Sequence, residues 1–184
     1  MSSKYAQLRD KYLSTTRIVP GYEQFMYGLM AIVRAGAMDT ATGDKLRDYV
    51  LNFVKNNSLS NFSTYSDTYV RSIIGRDASG WEAIVMSWKK GGRTSIHTHP
   101  QFASYTFADG EFLVEVFEPC EGGIRLVKEV TVDSQLGLYA IGEAGKYTNH
   151  IHRLTCLSDT AHSLHVYSDD ALNGFNLDNE TIIK

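Results

Sequence analysis

His97 and His99 stand one residue apart in the stretch Thr94-Ser-Ile-His-Thr-His-Pro100, and His150 and His152 repeat that spacing further along the chain. In a strand, side chains two residues apart share a face, so each pair projects both imidazoles to the same side. Neutral imidazole is the commonest transition-metal ligand, and two same-face pairs read as a metal centre better than as isolated solvated histidines. Spacing alone leaves His150 and His152 competing for a third ligand position beside His97 and His99. Ser163, His165 and Tyr167 occupy the i, i+2 and i+4 positions of another strand, where one face carries either a hydrogen-bond relay or three core polar groups. Arg71 offers a planar fork of donors for a substrate carboxylate, or a structural ion pair with Asp67 or Glu82. His162 reads as a solvated loop residue, and Cys156 as a small apolar side chain.

The elements that must hold these groups change character near residue 60. Before it, Leu46, Tyr49, Val50, Phe53 and Val54 recur at helical spacing, with Lys45, Arg47, Asp48 and Lys55 on the opposite side. Phe25, Leu29, Met30, Ile32 and Val33 show the same period after a Pro20-Gly21 entry, and residues 4–14 suggest a third, shorter helix. After it come short β-branched and aromatic runs, at 69–74, 81–88, 104–107, 111–118, 124–132, 138–141, 151–157 and 163–167. Asp77-Ala-Ser-Gly80, Ala108-Asp-Gly110 and Glu121-Gly-Gly123 separate them with hairpin-turn chemistry. Many short strands at such spacing predict an antiparallel barrel or sandwich, covered on one side by the helices. The expected organisation is one structural domain, with helices over 1–60 and a barrel over 61–184.

Bulk composition narrows the partners. The 184 residues are 43% hydrophobic, enough for a substantial single core. A formal net charge of −3 supplies no basic field for nucleic acid or an anionic membrane surface, so a small molecule is the expected partner. Two cysteines do not make a disulfide framework, and the amino end has no apolar signal-like run. The expectation is a cytoplasmic protein with reduced thiols, as a monomer or small homo-oligomer.

Gly91 or Gly92, then His97-Thr-His99, Ala103 and Gly110 together resemble the first motif of the cupins, small double-stranded β-helix barrels. In most cupins the slot held by Ala103 is a glutamate ligand. A cupin with three histidines and no such acid resembles the cysteine dioxygenase family of thiol dioxygenases. "YVRSII" (69–74) is similar to that family's Tyr-x-Arg strand, "IHRL" (151–154) to its third-ligand segment, and "SLHVYS" (163–168) to its Ser-x-His-x-Tyr relay. Trp88 falls where the family keeps a pocket-side tryptophan. The resemblance spans roughly residues 22–180.

It implies Fe(II) held by His97, His99 and His152; substrate contacts from Arg71, Tyr69 and Trp88; and a catalytic relay of Tyr167, His165 and Ser163. The implied reaction is oxidation of cysteine by O2 to cysteine sulfinic acid. Three neutral imidazoles leave a divalent ion its full charge, which favours a thiolate partner. The alternatives are another small carboxylate thiol such as 3-mercaptopropionate, a metal- and ligand-binding cupin without turnover, or a cupin using zinc, nickel or manganese. Two departures stand out. Ala103 cannot form the Cys–Tyr crosslink of the animal enzymes, and Ser168-Asp169-Asp170 replaces the family's Ser-Pro-Pro.

Overall fold

In β-branched and aromatic segments alternate side chains face opposite ways, so a strand buried on both faces can serve two cores. The computed structural model describes residues 15–183; the helix expected over 4–14 lies outside them. Eleven strands are assigned: β1 (Arg17–Ile18), β2 (Tyr69–Arg76), β3 (Glu82–Lys89), β4 (His97–His99), β5 (Phe102–Asp109), β6 (Phe112–Cys120), β7 (Gly123–Val132), β8 (Leu136–Ile141), β9 (Asn149–Cys156), β10 (Thr160–Tyr167) and β11 (Ile182–Ile183). One sheet has the order β1-β2-β3-β10-β5-β8, the other β11-β7-β6-β9-β4. Within them, β3-β10-β5-β8 and β7-β6-β9-β4 are the two four-stranded halves of a jelly roll, the double-stranded β-helix of the cupin barrel.

Two helices, α1 (Glu23–Arg34) and α2 (Thr40–Asn56), cover the outer face of the larger sheet. Phe25, Met26, Leu29 and Met30 of α1 and Leu46, Val50 and Val54 of α2 pack there on Ile74, Val85, Phe102, Leu164 and Val166. The start of α2 obeys local chemistry: the Asp39 side chain accepts a hydrogen bond from Thr42 N at 2.9 Å and caps the helix. The opposite faces of the same strands fill the barrel, where Ile84, Met86 and Trp88 of β3 meet Phe107, Phe112, Val114 and Leu154. Polar inward residues of β4, β9 and β10 share this interior, and Met86 also lines a cavity beside them.

A third cluster, Ile96, Phe117, Ile124 and Ile151, lies under Leu177 of the C-terminal segment. That segment makes a 3-10 turn (Ala171–Asn173), bonds to the backbone of Thr98 in β4 and of Ile96 just before it, and ends in β11, parallel to β7. The sequence reading did not anticipate β1 or β11. Each is two residues long and is defined only by the partner it pairs with. No helix among the described residues is long and apolar enough to cross a membrane. Cys120 and Cys156 are free thiols.

Candidate metal centre

β4 and β9 run antiparallel with His97 opposite His152, which brings two sequence-distant imidazoles to adjacent rungs. The ligand atoms of His97, His99 and His152 all lie within 4.8 Å of one another, the one such cluster among the described residues. Ring centroids are 4.5 Å apart for His97–His99 and His99–His152 and 4.9 Å for His97–His152. His97 Nδ1 sits 2.9 Å from Ser95 O, and His99 Nδ1 2.8 Å from His150 O. A carbonyl only accepts, so each Nδ1 carries the proton and each Nε2 keeps its lone pair. His99 Nε2 and His152 Nδ1 are buried without a hydrogen-bond partner.

Burial lowers the pKa of all three rings, His99 and His152 the furthest because their neighbouring imidazoles add to it. The rings are therefore neutral near pH 7, the state in which imidazole ligates. Orphaned buried nitrogens are costly unless something engages them, and a divalent transition ion would do so here. The donor set thus fits a metal held by three neutral nitrogens. No carboxylate joins it: fully buried Ala103 stands opposite Tyr167 in the β5–β10 ladder.

Beside the triad is a cavity of 140 Å³ lined by Tyr69, Arg71, Met86, His97, Tyr167 and Leu172, among others. It falls below the ~300–1,000 Å³ of drug-sized sites. Arg71 reaches it from β2 with its side chain 23% exposed, and its Nε is buried without a partner. Glu82 is the acid near it, at 3.8 Å from Nη2, but Glu82 is already engaged by Arg76 Nη2 at 2.6 Å and Ala171 N at 3.0 Å. Arg71 therefore retains donors for a cavity anion. A larger cavity of 240 Å³, between α1 and Tyr147, contains none of the histidines.

Ser163, His165 and Tyr167 form a continuous chain on the inner face of β10. Ser163 Oγ lies 2.7 Å from His165 Nε2, and His165 Nδ1 3.0 Å from Tyr167 Oη. Trp88 does not line the cavity; it is fully buried, and its indole Nε1 donates to Ser163 Oγ at 2.9 Å. Indole nitrogen can only donate, and His165 Nε2 is the one acceptor beside the buried Ser163 hydroxyl among the described residues, so satisfying that proton directs it to His165; His165 Nδ1–H then donates to Tyr167 and leaves the phenolic proton for the cavity. Burial lowers the His165 pKa to about 3 and raises that of Tyr167, so the chain holds neutral partners.

His162 sits differently from its sequence-based expectation, and His150 is engaged away from the cavity. His162 is not solvated: it is 4% exposed, its Nδ1 is 2.9 Å from Asp109 Oδ2, and its Nε2 is 3.2 Å from Phe62 O. The reason is packing by the 57–68 connector, which local sequence does not reveal. His150 does not line the cavity; it hydrogen-bonds Tyr105 at 2.8 Å, and burial lowers its pKa to about 4. Tyr105 went unnoticed in the sequence because inward tyrosines of a barrel carry no distinguishing pattern.

No protein-family model and no curated protein matches the chain. Among solved structures, an oxalate oxidase aligns at 12% identity over 63% of this chain and 61% of its own, with a TM-score of 0.48. A conserved protein with a double-stranded β-helix domain from Klebsiella pneumoniae aligns at 13% over 66% and 90%, TM-score 0.49. A cupin superfamily protein from Desulfitobacterium hafniense aligns at 12% over 60% and 86%, TM-score 0.45. The chain spans about three fifths of the oxalate oxidase that it matches. By its own topology and side chains, the molecule is a cupin-like jelly roll with a three-histidine cluster suited to metal.

Proposed function

We propose that the protein is an Fe(II)-dependent thiol dioxygenase of the cysteine dioxygenase type, converting cysteine and O2 to cysteine sulfinic acid. The observation that carries this reading is the pairing of three neutral imidazoles, without an acid ligand, with Arg71 on the wall of a small cavity. Fe(II) held by His97, His99 and His152 would supply the redox chemistry by which O2 adds to a thiolate sulfur. The remaining tasks fall to the chain. Arg71 holds the substrate carboxylate by charge-assisted hydrogen bonds, which fixes the thiol end toward the imidazoles. Tyr69 packs against Trp88, with ring centroids 4.9 Å apart, and forms one wall. Tyr167 presents its hydroxyl proton to the bound substrate, held there by His165, Ser163 and Trp88.

The 140 Å³ volume suits a thiol of amino-acid size, and both cysteine and 3-mercaptopropionate carry the carboxylate that Arg71 would hold. The test is oxygen consumption by iron-loaded protein with cysteine, 3-mercaptopropionate and cysteamine. Turnover of the carboxylate thiols well above cysteamine is expected. Uptake with none of the three overturns the proposal.

A further inference from the structure

The register between β4 and β9 slips by one residue between the His97–His152 and His99–Asn149 pairs, so β9 carries an extra residue there. His150 adopts φ 47° within that stretch, the left-handed region that glycine occupies most readily. A bulge re-aims side chains beside a site, and a non-glycine residue in this conformation carries a backbone cost. Glycine at 150 would avoid that cost and keep the carbonyl that accepts from His99 Nδ1 at 2.8 Å. The His150 ring must therefore contribute something of its own.

Its contacts indicate what. The ring shares a hydrogen bond with Tyr105 Oη at 2.8 Å, lies 4.8 Å from the His152 ring, and is stacked at 5.7 Å on Tyr105. Tyr105, buried on β5, in turn sets its ring edge-on to His152 at 4.7 Å. One bulged residue thus reaches two members of the triad, His99 through its carbonyl and His152 through its ring and Tyr105.

We infer that His150 and Tyr105 form a clamp that positions His99 and His152 for metal, His150 serving as a positioning residue outside the ligand set. The inference rests on the metal-binding part of the proposed function and not on the identity of the substrate. Groups that orient metal-bound imidazoles typically change affinity by about 10- to 100-fold when removed.

The test uses cobalt(II) as probe with full-length protein, measuring affinity by chelator competition and the visible ligand-field spectrum. His150→Gly relieves the left-handed backbone and keeps the carbonyl; Tyr105→Phe keeps the ring and removes the hydroxyl. Both are expected to fold, to weaken cobalt about 10-fold or more and to shift the spectrum, and the double variant to lose little more than either single one. Affinities within twofold of the parent, with an unchanged spectrum, overturn the clamp while leaving the metal site intact. If the parent itself binds no cobalt, both the clamp and the metal site fail.

Discussion

At residue scale, side chains that share one cavity have separate tasks, and these tasks separate in kinetics. Arg71→Gln removes the fork that holds a carboxylate while leaving the imidazoles alone. It should raise KM for cysteine and lower kcat/KM by about 10- to 100-fold, the worth of a charge-assisted pair, with cysteamine barely affected. Equal loss for both thiols would remove Arg71 from substrate contact. Tyr167→Phe removes the proton presented to the cavity, and a fall in kcat of about 100-fold with little change in KM is expected, as for a positioned acid–base group. Trp88→Phe keeps the apolar packing but frees Ser163 from its donor, so a smaller fall in kcat, with KM again unchanged, would reveal the chain's direction. The residues of β10 were legible because the i, i+2, i+4 spacing holds on any strand. The role of Trp88 was not, because its hydrogen bond to Ser163 joins positions 75 apart in sequence.

At the scale of elements, β2, β3 and β5 to β10 were readable from alternation and from the glycine turns between them. Gly110, at φ 77°, is an example: it closes the hairpin between β5 and β6. What escaped the sequence depends on pairing: the two-residue strands β1 and β11, and the slip in β9 that turns His150. The burial of His162 is of the same kind, since the connector that covers it is placed by tertiary packing. That connector supplies a pH test. Beneath it, the hydrogen bond of His162 to Asp109 raises the His162 pKa in the folded protein. A raised folded pKa gives stability that is fully present below the unfolded value of about 6.5 and is lost as pH rises through the folded value. The Tm difference between the parent and His162→Gln should therefore shrink as pH rises above about 6.5, whatever the slope contributed by the other histidines. An unchanged slope in the variant would assign the pH dependence to other groups.

On the scale of the whole molecule, the helices and the apolar barrel residues hold a jelly roll whose interior keeps five histidines neutral. Burial is the leading cause in each of His97, His99, His150, His152 and His165. For these rings the folded pKa lies below the unfolded one, so the unfolded chain takes up more protons as pH falls below about 6.5. Metal-free protein should lose stability between about pH 6.5 and 4, and a flat Tm across that range would contradict the burial of these groups. A metal that engages the orphaned nitrogens binds the folded state alone, so saturating Fe(II) under anaerobic conditions should raise Tm, and His152→Ala should abolish the rise. The most direct test of the central claim is mass spectrometry of the product formed from cysteine by iron-loaded protein under isotopically labelled dioxygen. The account predicts cysteine sulfinic acid with both added oxygens labelled. Cystine alone, or a sulfinate carrying unlabelled oxygen, would contradict it.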